Sequence, residues 1–463
     1  MKAIVDPQGA LARGLTAIRA DFQVPASFPP DVLAAAADAV ERPPSAHRDR
    51  TAIPFVTLDP ATATDLDQAF WIEAAGADLL LRYAIADVGW FVEPDRPLDQ
   101  EAWRRGETLY LPDGKAPLYP PVLSERAASL LPDGERPAVL FHILLDPEGR
   151  ARLDRVERAL IRSRAKLGYE TADPDALPPL LPSFAARVAA AEAARGASRV
   201  DPPDQEVTAA PNGDLTLAFR PRRPVEDQNA RLSLACNLAI ADALLANRTG
   251  LFRVMPEPDA QAVARLRHTA AALGLAWPKE QPLDRFERGL RADHPHEAAM
   301  MAAIRRAGRG ARYQAYTPET RPWHAAVAAP YAHATAPLRR LADRHVIEAA
   351  LAVANGRAVP DWVEAAFARL PDTMARADAL AGRIDRAVIE LAESVLMRPH
   401  VGQVFTAVVT EADDAGSRIQ LVDHPVMTRL TGAQLAPGDR VRVRLGEADP
   451  ERRTLGFALE DAP

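Results

Sequence analysis

The apolar periodicity of the chain changes twice, and those two changes constrain its fold more than any other feature. From Thr51 to about Asp173 the apolar runs are short and rich in β-branched and aromatic residues. Turn sequences such as Pro112-Asp113-Gly114 and Asp146-Pro147-Glu148-Gly149 bound them, so they read as strands. From Val225 to about Arg398 the apolar spacing is helical, predicting helices near 227–248, 258–273, 296–309, 337–354, 360–370 and 373–397. From Val401 the pattern returns to five short strands within ~60 residues, which fits an OB-type barrel. Strands followed by helices within one region predict an α+β core. Residues 185–196 read as an alanine-rich helix between the two, and Asn212-Gly213 as a hairpin turn.

Ahead of the core, helical patterns over about Gln8 to Asp21 and Phe28 to Val40 predict a small helix-turn-helix-like unit, followed by a polar, proline-bearing linker over 41–50. Three units are expected: a helical unit over 1–48, a mixed sheet with helices over 49–398 and a five-stranded barrel over 399–463. No apolar stretch approaches the ~18 residues of a membrane span, and the first residues mix charges of both signs. A single cysteine, Cys236, excludes an intrachain disulfide and a cysteine-rich zinc site. A cytoplasmic monomer is the expectation. With a net charge of -7, a nucleic-acid partner would need a local basic surface.

The stretch from Ala52 to Glu73 carries the strongest chemical signal. One short apolar run ends in Asp59, a Pro/Thr/Ala loop follows, and Asp65 and Asp67 stand just before a second run, Ala69 to Ile72. Three carboxylates brought together at a strand-to-strand handover repel one another and lose hydration. A hard divalent cation would neutralise them, and oxygen ligands suit magnesium, with manganese as the alternative. The competing reading makes Asp59-Pro60 a turn and leaves Asp65 and Asp67 as solvated loop acids.

A basic stretch lies nearly three hundred residues downstream. Arg305 to His345 holds eight arginines against two acids, Glu319 and Asp343, a local surface for an anion. Thr335 reads as a helix N-cap, Pro337 as a first-turn residue and Asn355-Gly356 as the stop. Arg339 and Arg340 would then sit in the first turn, opposing the helix dipole at a cost of ~0.3–1 kcal/mol each. A bound phosphate offsets that cost. The alternative pairs Arg339 with Asp343 at i,i+4 and leaves Arg340 unexplained. His333 and His345 read as hydrogen-bonding residues. In the last unit, Asp439 to Leu445 alternates strictly, placing Arg440, Arg442 and Arg444 on one outer face. That face suits a phosphate backbone, or alternatively a charged edge that resists aggregation.

Together these residues resemble the ribonuclease II / ribonuclease R (RNB) family with a C-terminal S1-type domain. The resemblance rests on Thr57-Leu58-Asp59 with Asp65, Asp67, Gln68 and Ala69, on Arg82 to Val88, on Arg104 to Pro112, and on Pro330 to Arg340 with Arg344-His345. It implies hydrolytic 3′→5′ degradation of RNA to nucleoside 5′-monophosphates, magnesium-assisted, with RNA threaded through a channel. Single-stranded 3′ ends, and structured RNA besides, would be the substrates. It further implies Asp59, Asp65, Asp67 and Gln68 as metal-site positions, and Asp67, Arg339 and Arg340 as catalytic residues. Tyr169, Phe252, Tyr331, His333, Arg340 and the three barrel arginines would hold RNA, with Tyr169 near the last nucleotides and Phe252 a second base-stacking ring. Two departures stand out: the fourth acidic position is the neutral Gln68, and a late family glutamate corresponds to Gly382. An RNA-binding protein with an inactive core is the alternative function.

Overall fold

In the computed structural model the described residues are 2–3, 9–132, 134–197, 204–209, 215–220, 222–291, 294–308, 310–319, 321–413, 416–432 and 435–460. The Asn212-Gly213 turn lies outside them, between two antiparallel strands, Asp204–Ala209 and Leu215–Arg220. The strand-rich region forms a seven-stranded mixed sheet. Its spatial order is Ala165–Gly168, Val56–Asp59, Gln68–Ala75, Asp78–Ala86, Glu135–Leu145, Ala151–Arg162 and Arg48–Asp49. The inner pairings are antiparallel and both edge pairings are parallel. Ala138, Leu140, Leu81, Tyr83 and Ile85 are fully buried, as expected for inner strands covered on both sides. The helices Pro224–Ala246 and Leu341–Ala354 pack on this sheet, and the three share one continuous apolar core.

The chain ends in a nearly closed five-stranded antiparallel barrel, ordered Met427–Leu430, Gly416–Leu421, Val404–Asp413, Arg440–Asp449 and Thr454–Leu459, whose two edge strands touch. Val443 and Leu445 point inward while Arg440, Arg442 and Arg444 are exposed, the alternation the sequence predicts. No described helix is long and apolar enough to cross a membrane.

Three expectations need correction. The helices predicted over 360–370 and 373–397 are one, Asp361–Met397, about 55 Å long at 1.5 Å per residue. Pro371 lies inside it, where a proline typically costs ~3 kcal/mol. Leu370, Phe367 and Met374 are buried on either side, and that packing carries the helix through. Second, the two N-terminal helices do not share one core. Leu11, Leu15 and Ile18 of Ala10–Asp21 join the long helix and barrel, whereas Val32, Ala36 and Ala39 of Pro30–Val40 join the main core. Third, the helix expected from 337 starts at Leu341, with Arg340 in extended backbone as its N-cap residue.

The long helix also ties the barrel to the rest of the chain. Glu393, only 4% exposed, accepts hydrogen bonds from Met427 N at 2.8 Å and Gln205 Nε2 at 2.5 Å. Burial pushes its carboxyl up to about 7, against the pull of those two donors. The folded chain therefore keeps a proton there that the unfolded chain releases near pH 4.5. This stabilisation is complete below about pH 4.5 and is lost as pH rises through about 7, by at most on the order of 3 kcal/mol. Glu393→Gln keeps an acceptor without the charge. We expect its melting temperature to exceed that of the parent at pH 8 and to match it near pH 4, as differential scanning calorimetry would record.

Candidate active site

The acidic loop is held from both sides by Ser129, which donates from Oγ to Thr64 O at 2.7 Å and accepts from Leu66 N at 2.9 Å. Leu66 is buried, so its neighbours Asp65 and Asp67 point elsewhere on a loop that does not move freely. Asp59 ends the strand Val56–Asp59, and its carbonyl accepts from Tyr169 N at 3.1 Å. Asp67 sits one residue before Gln68–Ala75 and is 4% exposed; its Oδ1 accepts from Leu338 N at 2.7 Å. Gln68 donates from Nε2 to Thr335 O, which leaves its carbonyl oxygen as its only ligand atom.

These bonds reach across the core to the turn over residues 335–340. That turn is clamped on its far side by Thr108 N to Arg339 O at 3.0 Å and Leu341 N to Gly106 O at 3.0 Å. Asp343, fully buried, closes it by accepting from Ala336 N at 2.7 Å. Asp343 also takes the guanidinium of Arg340 in a two-pronged pair at 3.0 and 2.7 Å. The helical pairing expected for Arg339 thus belongs to Arg340, because the helix starts later and Arg340 is three residues from the carboxylate. Arg339 turns instead into the cleft, 45% exposed along its side chain, with Nε 3.8 Å from Asp67 Oδ2. Two other arginines of the basic segment lie elsewhere: Arg344 is buried against Asp99 and Arg306 pairs with Glu411 on the barrel.

Asp59, Asp65, Asp67, Gln68, Tyr169, Tyr331, Arg339 and Arg340 line one cleft of about 950 Å³. Phe252 does not; it is fully buried in the core and has no face for a base. His333 lies behind the wall, its Nδ1 2.9 Å from Tyr313 Oη, and burial followed by the charge of Arg340 drives its imidazole well below its usual range. Arg444 is engaged by Glu460 at 2.9 and 2.6 Å, whereas Arg440 and Arg442 stay exposed. Gly382 lines a separate groove between the long helix and the barrel.

The cleft also holds residues that sequence reasoning passed over. Asn229, Ser233 and Asn237 recur every four residues on Pro224–Ala246 and form a polar stripe that faces the cleft. That spacing was visible in the sequence. Asn229 donates to Tyr169 Oη at 2.8 Å, and Asn237 to Tyr331 Oη at 3.1 Å, so both rings are oriented from the same helix. Tyr110 and Lys115 come from the hairpin Leu109–Leu111 and Gly114–Ala116 and both reach Asp65.

Electrostatically the cleft is under strain from its own carboxylates. Burial, then the charge of Asp65, pushes Asp59 up to about 7, although Arg339 and Lys166 oppose the shift. Burial likewise holds Asp67 well above the ordinary carboxylate range, against Arg339 and the Leu338 N–H. Asp59 Oδ2 is buried with no hydrogen-bond partner. An orphaned carboxylate oxygen among oxygen donors, facing a cleft, is a fit for a hard divalent cation. Among the described residues, no three His, Cys, Asp or Glu side chains converge closely enough to form a metal cage by themselves.

The sequence matches the RNB domain over residues 47–177 and the RNase II-type exonuclease C-terminal S1 domain over 403–460. The chain thus carries an RNB domain and, after it, an RNase II-type C-terminal S1 domain. It is 26% identical over 466 residues to Ribonuclease R of Escherichia coli, covering 88% of this chain and 56% of that protein. The chain therefore spans little more than half the length of that relative. Over 127 residues it is 41% identical to Exoribonuclease 2 of Edwardsiella piscicida, which covers 27% of this chain and 20% of that one. Its fold is similar to that of Mycoplasma genitalium RNase R in complex with ribose-methylated single-stranded RNA, with a TM-score of 0.85 and 18% identity over 99% of this chain and 79% of that one. Yeast Ssd1, a pseudonuclease, shares the fold at a TM-score of 0.71 and 18% identity over 95% of this chain and 57% of that one.

Proposed function

We propose that this chain is a hydrolytic 3′→5′ exoribonuclease that releases nucleoside 5′-monophosphates with magnesium, or alternatively manganese, in the acidic cleft. The observation that carries the proposal is the meeting of half-buried Asp59 and buried Asp67 with the half-exposed Arg339 guanidinium in one cleft. Residues 49–398 would perform the chemistry, and the barrel at 399–463 would hold RNA upstream through Arg440 and Arg442. Names borne by the relatives, Ribonuclease R and Exoribonuclease 2, support the same reading.

Asp59, Asp67 and the carbonyl oxygen of Gln68 would hold the cation. When bound, it supplies charge neutralisation at a phosphodiester oxygen and a water of lowered pKa. Arg339 directs its guanidinium toward the charge that develops on the scissile phosphate. Arg340, locked on Asp343, keeps the 335–340 turn in place so that Arg339 points into the cleft. Tyr169 and Tyr331, fixed through their hydroxyls by Asn229 and Asn237, offer ring faces for terminal bases.

The test uses one RNA labelled at its 3′ end and the same RNA labelled at its 5′ end, incubated with magnesium or with a chelator. Magnesium-dependent release of labelled mononucleotide from the 3′ end is expected. The second reading, an RNA-binding protein with an inactive core, draws on the neutral Gln68 and on the shared fold of a pseudonuclease. Tight RNA binding without mononucleotide release at any magnesium concentration would favour it.

A further inference from the structure

We propose that Lys115 is a built-in counter-cation of the acidic cleft, which takes Asp65 out of divalent-cation binding and leaves that binding to Asp59 and Asp67. The inference rests on the metal-bearing reading of the cleft given above.

The cleft treats its three carboxylates differently. Lys115 Nζ lies 2.8 Å from Asp65 Oδ1, and Tyr110 donates from its hydroxyl to Asp65 Oδ2 at 3.0 Å, so both oxygens of Asp65 are engaged. Asp59 Oδ2, by contrast, is buried without a partner. The two groups that grip Asp65 are not a chance meeting of long side chains. Tyr110 and Lys115 are directly paired across the hairpin, so their side chains leave the ribbon on the same face. The lysine is fixed further by Glu125 Oε1 at 3.2 Å and Thr64 Oγ1 at 3.3 Å, and its side chain is only 20% exposed. An ammonium held there places a positive charge within the field of the cleft. It also competes with any divalent ion for the Asp65 oxygens. The same arrangement accounts for the lack of a ready-made three-carboxylate cage among the described residues.

The experiment is isothermal titration of the whole chain with Mn²⁺ in the absence of RNA, for the parent, Lys115→Gln and Lys115→Arg. Removing one charge near a divalent ion should tighten binding about tenfold in Lys115→Gln. Release of Asp65 should further allow a second ion to bind. Lys115→Arg keeps the charge and should titrate like the parent. Tyr110→Phe, which frees only the other oxygen of Asp65, should tighten binding by a smaller factor and serves if Lys115→Gln does not fold. Unchanged or weaker Mn²⁺ binding in both Lys115→Gln and Tyr110→Phe would overturn the proposal. Weaker RNA binding in Lys115→Gln with unaltered Mn²⁺ affinity would overturn it too, and would assign the lysine to phosphate instead. If neither the parent nor any variant binds Mn²⁺, the metal reading of the cleft itself fails, an outcome distinct from the other two.

Discussion

Asp67→Asn is expected to lower the rate of 3′-end hydrolysis by about 10²–10³-fold while raising the melting temperature of the metal-free protein. The two effects have one cause. Asp67 is 4% exposed, and burial holds its carboxyl well above the normal range, so its ionised form is costly in the folded chain. Asparagine retains the acceptor for Leu338 N and removes the charge, so the 335–340 turn should stay where it is. What is lost is the anionic oxygen opposite Arg339 and the affinity for a divalent cation. Single-turnover cleavage, thermal denaturation and RNA binding on the same preparation separate these effects. Cleavage at the parent rate would remove the proposed centre. A lower melting temperature would contradict the assignment of Asp67 as an electrostatically unfavourable group.

The second large effect distinguishes two adjacent arginines. Arg339→Ala should reduce kcat by about 10²–10³-fold with little change in stability, since its guanidinium is half exposed and only 3.8 Å from Asp67 at its nearest. Arg339→Lys should recover part of the loss, because a point charge replaces a planar fork. Arg340→Ala should instead destabilise the protein by about 3–5 kcal/mol, for it strands the fully buried Asp343 carboxylate without its two-pronged partner. Paired measurements of kcat and of urea unfolding for the three variants provide the check. Equal catalytic and stability losses for Arg339→Ala and Arg340→Ala would refute this division of labour.

Much of the fold follows from local patterns. The strand runs around Asp59 and Gln68, the alternation of Val443 and Leu445 with the barrel arginines, and the helices at 224–246 and 341–354 all recur in the structure close to where periodicity puts them. The candidate cleft was legible to the same degree, because its acids sit within nine residues of one another and its arginines in one short motif. Phe252 illustrates the limit: an aromatic residue in a strand looks the same in sequence whether its ring faces a ligand or the core, and here it faces the core. Pro371 illustrates another. A helix breaker predicts a break, yet buried neighbours on both sides outweigh it.

By itself the sequence determined the order of strands and helices, the barrel and the three carboxylates, since backbone periodicity, turn chemistry and residue type act over a few neighbouring positions. Only the tertiary structure decided which charges face each other. It gave Asp343 to Arg340, turned Arg339 toward Asp67, and brought the Tyr110–Lys115 hairpin onto Asp65. Coulomb interactions and burial depend on separation in space, and contacts such as that of Asp67 with Leu338 join positions far apart in the chain.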